Sequence, residues 1–365
     1  MKLGIIGLPN SGKTTLFNAL TGQGIETTAY PEPLSSEAHV GMVFIPDERV
    51  DRLSGIYQPK KTTHADVMCA DITGFARGIS AEKGKSALAA LVWDADAVIH
   101  VVRAFADDSV MHPGGALDPA GDVAALELEL VFNDLELTET RLERIENSMK
   151  KGVGRELELE KAVLEKCRAQ LEEEKPLRNL GLSEEERAAI GSLQFLSVKP
   201  ELVVVNVGED ELDSDETRAT VAAIEEFYQG KDALVFALSA KIEMELAGLE
   251  PEEAALFLED LGIAEPARNR VLGAAYELLG LISFLTVGED EVRAWSIRRG
   301  TPAVKAAGKV HSDIERGFIR AETVAYEDFI AAGSMAAARD AGKVRLEGKD
   351  YTVADGDIIN FRFNI

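Results

Sequence analysis

Residues Gly7-Leu8-Pro9-Asn10-Ser11-Gly12-Lys13-Thr14 spell G-x-x-x-x-G-K-T directly after the apolar run Leu3-Gly4-Ile5-Ile6. A strand, a glycine-rich turn, Lys-Thr and then a helical pattern (Leu16, Phe17, Ala19, Leu20) point to an α/β fold with a phosphate-binding loop at a strand tip. Gly7 and Gly12 let backbone N–H groups turn inward around a phosphate chain, and a helix starting near Lys13 adds its positive end. Lys13 is expected to reach the β- and γ-phosphates, and the Thr14 hydroxyl to ligate Mg²⁺. Leu8, Pro9, Asn10, Ser11 and Thr15 complete the expected nucleotide-binding stretch.

The strand-like run Val67-Met68-Cys69-Ala70-Asp71-Ile72-Thr73-Gly74 ends in D-x-x-G about sixty residues later. At that placement Asp71 is the expected acidic partner of Mg²⁺ and the Gly74 N–H the expected γ-phosphate contact. Ras-like enzymes orient the attacking water with a Gln after this glycine, but here the residue is Phe75, whose ring cannot polarise water. Between the loop and the strand His39–Ile45 lies a polar, proline-broken segment where a nucleotide switch would sit. Ser35 or Ser36 there offers a hydroxyl to Mg²⁺ or phosphate, or is an ordinary solvated serine.

Ala97 to Arg103 reads as a buried parallel strand, with His100 inside it as a packed, hydrogen-bonded residue. Asp122 to Glu174 carries apolar residues at helical spacing, broken at Gly152-Val153-Gly154, which predicts an antiparallel hairpin of two long helices. The sheet resumes at Leu202–Asn206 and Ala233–Leu238. Guanine-binding relatives of this loop class end the first of these strands in N-K-x-D, whose Asp accepts from guanine. Here Asn206-Val207-Gly208-Glu209 lacks both the Lys and the Asp, so adenine is the expected base, with Ser239-Ala240-Lys241 beside it. From Leu281 onward, short strands (Leu281–Val287, Val292–Ile297, Tyr351–Val353, Ile358–Phe363) around one helix over Ala325–Ala341 predict an α+β module of ubiquitin-like size. His311, Arg316, Lys343, Arg345 and Lys349 add positive charge there.

The net charge of −25 argues against salt-driven wrapping of nucleic acid, leaving only a local basic face for RNA. Cys69 and Cys167 form no C-x-x-C pair and read as unpaired thiols of a reducing compartment. No membrane-length apolar stretch or signal core is visible, which places the chain in the cytoplasm, away from membranes.

With these motifs in order, the chain resembles the YchF family of Obg-like ATPases, translation-factor-related phosphate-loop NTPases. The stretch His311-Ser312-Asp313-Ile314-Glu315-Arg316-Gly317-Phe318-Ile319-Arg320-Ala321-Glu322, with Tyr326–Phe329 and Leu346–Tyr351, is similar to the family's TGS domain. The resemblance implies a phosphate-loop NTPase domain over 1–122 and 196–265, an inserted helical hairpin over 123–195, and a TGS domain over 280–365. It implies ATP binding with slow hydrolysis, association with ribosomal particles, a hydrophobic residue at Phe75, and an Asn10 that helps hold a monovalent cation such as K⁺. Two stretches depart from the family pattern: Leu34-Ser35-Ser36-Glu37-Ala38-His39 replaces a threonine-bearing C-T-I-E-P-N, and Ala81-Glu82-Lys83-Gly84-Lys85-Ser86 replaces a glycine-rich G-E-G-L-G-N. Two other readings stand beside the ATPase: a nucleotide-gated ribosome- or RNA-binding module with negligible turnover, and a GTPase.

Overall fold

The structure, a computed structural model, describes residues 1–25, 39–71, 94–107, 110, 112, 115–149, 154–228, 233–263 and 265–364. The expected switch serines Ser35 and Ser36, with Gly74 and Phe75, lie outside the described residues. Among the described residues the strands are β1 (Lys2–Ile6), β2 (His39–Phe44), β3 (Lys61–Thr63), β4 (Asp66–Asp71), β5 (Ala97–Arg103), β6 (Glu201–Asn206), β7 (Ala233–Leu238), β8 (Leu281–Thr286), β9 (Glu291–Arg298), β10 (Phe318–Ala325), β11 (Arg345–Glu347) and β12 (Asp357–Phe363). The chain divides into two compact units, 1–42 with 68–271 and 43–67 with 272–365.

The first unit is built on a sheet of order β2-β4-β1-β5-β6-β7. Strand β1 pairs in parallel with β4 and β5, and β5, β6 and β7 continue in parallel. Every residue of β5 and β6 is buried, as strands covered on both faces require. Cys69 and Cys167 are both buried and free.

The helix Pro119–Met149 first packs Val123 against Val102, Val203 and Ile224 of the sheet core. Farther along it pairs with the helix Arg155–Glu172, where Arg141 grips Glu160 through two bonds of 2.7 and 2.8 Å. The expected hairpin is therefore present, but most of its joining turn lies outside the described residues. It is also more than a hairpin: a 3₁₀ turn at Leu177–Asn179, a helix at Glu184–Ile190 and Phe195 close a core over Leu142, Ile145, Val163, Leu164 and Leu171. A helix pair with a one-sided apolar seam has to cover that seam, and the following segment does so.

Buried charge bolts this insertion to the sheet. Arg178 donates to Glu127 Oε2 at 2.6 Å and lies 2.9 Å from Glu201 Oε2, while His100 Nδ1 sits 2.9 Å from Glu201 Oε1. Burial alone would raise the Glu201 carboxyl, but Arg178 and His100 hold it well below the ordinary range. Burial and the Glu201 carboxylate push the Glu127 carboxyl up to about 8, against the pull of Arg178. Nearby, the fully buried Asp134 carboxylate accepts from Leu196 N (3.0 Å), Ser197 N (2.7 Å) and Ser197 Oγ (2.7 Å), tying the returning chain to the long helix. His100 is thus the packed, satisfied residue expected of it.

The second unit is a mixed sheet of order β11-β10-β12-β8-β9-β3 over the helix Ala303–Val310, whose Ala303, Ala306 and Ala307 lie against Ile282, Phe284, Ile297 and Phe361. The α+β class is as expected, but two local readings are corrected. The single helix read over Ala325–Ala341 is two, Tyr326–Ala332 and Met335–Asp340, because Gly333 turns left-handed (φ 77°) and Ser334 caps a new start. Tyr351–Val353 is no strand: Thr352 makes one bridge to Pro302. Residues 43–67 group with the second unit, where β3 pairs in parallel with β9 and Arg49 bridges Asp47 and Asp355. Much of the local positive charge there is also paired: Arg316 with Asp313, Lys343 with Asp328, and Arg345 with Glu347 and Asp357.

Removing one partner from a buried ion cluster strands the others, so Arg178→Ala is expected to destabilise the protein by about 3–5 kcal/mol in urea titrations. Because the folded state raises the Glu127 pKa, the protonated form is favoured there, and this residue's contribution to stability is lost as pH rises from the ordinary carboxylate range through about 8. Glu127→Gln should remove that slope while changing neutral-pH stability by only about 1 kcal/mol. An unaltered slope in the Gln variant would refute the proton assignment.

Candidate functional site

The parallel register brings the strand tips of the first unit to one end of the sheet. Ile5 stands opposite Asp71, and Arg103, Asn206 and Leu238 lie in one row. Ligands in such sheets bind at the carboxyl ends of the strands. The chain leaves β1 through Gly7 (φ 148°), passes Asn10 in a left-handed conformation (φ 61°) and enters the helix Lys13–Thr21 through Gly12 (φ 95°). Both glycines are also demanded by space. A Cβ on Gly7 would lie 2.3 Å from the Val101 carbonyl oxygen, and one on Gly12 2.2 Å from Asn206 Nδ2.

Lys13 is buried under this loop, its Nζ donating to the carbonyls of Gly7 (3.1 Å) and Leu8 (2.8 Å). Burial lowers its amine to about 8, with Asp71 opposing the shift. Thr14 Oγ1 donates to Asp71 Oδ2 at 2.6 Å. Asp71 is fully buried, and burial raises its carboxyl despite the Thr14 hydrogen bond and the charges of Lys13 and His39. Among the described residues Asp71 Oδ1 has no hydrogen-bond partner, and neither does the buried Ser11 Oγ. Leu8, Pro9, Asn10, Thr14 and Thr15 are all half-buried along the same stretch.

On the far side of the loop, Asn206 Nδ2 donates to the Ser11 carbonyl (3.0 Å) and Asn206 Oδ1 accepts from Ala240 N (2.9 Å). One side chain therefore holds the phosphate-loop turn and the start of the helix Ala240–Ala247 at a set spacing. Val207 does not face outward; its side chain belongs to the apolar core and its N–H bonds the Leu238 carbonyl. The Glu209 carboxylate, which stands where the guanine-reading Asp would be, is engaged by Lys241 Nζ at 2.7 Å. Ser239 Oγ is buried without a hydrogen-bond partner among the described residues.

Two contributions carry no motif in the sequence. Asn18 clamps Ile25 through both atoms of its amide (2.7 and 3.1 Å), anchoring the chain just as it leaves the first helix. Arg103 donates to the carbonyls of Phe105, Asp107 and Val110 and lies over the Phe105 ring, shaping the loop beyond β5. A polar residue inside an apolar helix and a cation closing an apolar strand were the available signals. Ser35 and Gly74 complete the expected site residues and lie outside the described residues.

The family model described as a 50S ribosome-binding GTPase matches residues 2–119, and the YchF-GTPase C-terminal model, described as a protein of unknown function, matches 281–364. A Bacillus subtilis protein named ribosome-binding ATPase YchF is 45% identical over 363 residues, covering 99% of each chain. The Escherichia coli protein of that name is 42% identical over 365 residues, covering 100% of this chain and 99% of its own. A solved structure titled as the Schizosaccharomyces pombe YchF GTPase superposes with a TM-score of 0.83 at 32% identity, covering 99% of this chain and 97% of that one. Identity sustained from end to end at this level leaves no part of the chain to another lineage: it belongs to the YchF family.

Proposed function

We propose that the chain is a Mg²⁺-dependent, ATP-binding and slowly ATP-hydrolysing switch that associates with ribosomal particles. The observation that carries this reading is the glycine-rich turn with Lys13 beneath it and the Thr14–Asp71 pair at its edge. The names of the full-length relatives support the ribosomal partner. A cytoplasmic setting goes with that partner, and no described helix is long and apolar enough to cross a membrane.

The donor set fits a hard divalent cation. Asp71 Oδ1 is a buried carboxylate oxygen without a hydrogen bond among the described residues, and the other oxygen of the same carboxylate meets the Thr14 hydroxyl at the start of the helix Lys13–Thr21. Thr14 and Asp71 would hold Mg²⁺, with Ser35 as a third donor from the loop; once bound, Mg²⁺ offsets the negative charge of the phosphates. The protein's own groups bind and orient. Loop N–H groups and the helix start at Lys13 face the anion, and the Lys13 ammonium stabilises charge that grows on the β–γ oxygens. Asn10 is the proposed contact for a monovalent cation such as K⁺, and the Gly74 N–H the contact for the γ-phosphate. With Phe75 where a glutamine would orient water, turnover is proposed to be slow or dependent on a partner.

Adenine is proposed as the base. The Glu209–Lys241 pair supports this choice, since a carboxylate already engaged by an ammonium is a poor acceptor for the guanine amide. The Schizosaccharomyces pombe title favours guanine instead, so base choice is tested directly. Residues 1–122 with 196–265, 123–195 and 280–365 are proposed as the nucleotide, insertion and TGS modules, the first lending its 43–67 excursion to the sheet of the last. An RNA contact through the last is part of the proposal, although its paired cations leave less charge free for phosphate.

Calorimetric titration should find Mg-ATP binding more tightly than Mg-GTP. Tighter GTP would overturn the base assignment, and no heat with either nucleotide would overturn the function. In single-turnover assays with ribosomes, Lys13→Ala should slow phosphate release by about 10²–10³-fold. Replacing K⁺ by Na⁺ should slow the native protein, and equal rates would remove the monovalent-cation role of Asn10.

A further inference from the structure

The helix Pro251–Asp260 is specified locally yet only half-buries its inner face, at Ala254, Phe257 and Leu258. Proline in its first turn, Glu252 and Glu253 beside it, and the left-handed Gly262 (φ 67°) that follows define both ends. Ile263 N–H closes back on the Leu258 carbonyl at 2.9 Å, completing the terminal turn. Even so, no residue from Glu252 to Asp260 is buried, although five consecutive positions read Ala254-Ala255-Leu256-Phe257-Leu258. Leu256 is 64% exposed, more than any other large apolar side chain among the described residues, and Leu249 and Leu261 flank it at 37% and 44%.

The surroundings of Leu256 indicate what covers it. Residues three and four apart are neighbours on a helix surface, so Glu252, Glu253, Glu259 and Asp260 ring Leu256 on both sides. Residues 249–263 contain no Lys or Arg, and among the described residues these four carboxylates have no ion-pair partner. A polyanion is repelled by such a surface, whereas an apolar pocket rimmed by Lys and Arg matches both its knob and its ring.

We propose that the helix Pro251–Asp260 is a docking surface for a basic ribosomal protein, with Leu256 seated in an apolar pocket of that protein and the four carboxylates meeting its cations. This rests on the ribosome-binding reading above and chooses between the two components of the particle, protein and RNA.

The test is co-sedimentation of the full-length chain with purified ribosomes across a salt series, with ATP affinity measured alongside. Leu256→Glu should weaken association at least about tenfold, the effect of losing a central apolar anchor, with ATP affinity unchanged. Glu252→Lys with Glu253→Lys should weaken it further at low salt and flatten the salt dependence. A photo-crosslinker at position 256 should attach to a ribosomal protein. Crosslinking to ribosomal RNA, or Leu256→Glu sedimenting as well as the native chain, would overturn this surface while leaving ribosome binding intact. Failure of the native chain to sediment would remove both.

Discussion

The first unit depends on how closely β6 approaches the turn after β1. Asn206 lies against Gly12 with no room for a Cβ between them, and its amide spends both functions on backbone, one on Ser11 and one on Ala240. Two loops far apart in sequence are thereby set at one distance by a single buried side chain. The parallel register does the rest, since Asp71 arrives beside Thr14 only because β4 pairs with β1 at Ile5. Loop chemistry and sheet topology are one constraint here, and a slip of a strand would lose the site before it exposed any core.

The opposite part of the same sheet is held by different physics. Arg178, Glu127, Glu201 and His100 are all buried, and the group is stable only as a whole, because each member compensates the desolvation of another. The guanidinium comes from the segment that closes the insertion, one carboxylate from the long helix, and the other carboxylate and the imidazole from adjacent strands. Apolar packing would accept several orientations of that insertion; a four-membered buried polar cluster with fixed partners accepts far fewer.

How much of this was legible depended on whether the signal was local. The phosphate loop, β5, β6 and β7 were readable because glycine spacing and unbroken apolar runs report their own neighbourhood. The division at Gly333-Ser334 was also readable in principle, as a terminator followed by a cap, but alanine-rich flanks on both sides mask it. The helix Ala303–Val310 is harder still: its buried face is alanine, chosen to let the helix approach the sheet, and alanine carries little hydrophobic contrast. Strand β3 has no local signature, since Lys61-Thr62-Thr63 becomes a strand only by meeting Glu291-Val292-Arg293. Likewise nothing near Asn206 announces its two bonds, which exist only once the sheet has formed.

The assignment of residues 43–67 to the second unit means that the chain passes between the units three times, near residues 42, 67 and 271. Neither unit is a terminal appendage that a single proteolytic cut or stop codon could detach cleanly. Ending the chain near residue 271 would strip β3 of its partner β9 and Arg49 of Asp355, leaving a twenty-five-residue excursion without its sheet in the middle of the nucleotide-binding half. For evolution this makes the two halves a unit of inheritance: gene fission or shuffling at the obvious C-terminal boundary would yield a damaged fragment, and the pair is retained or lost together.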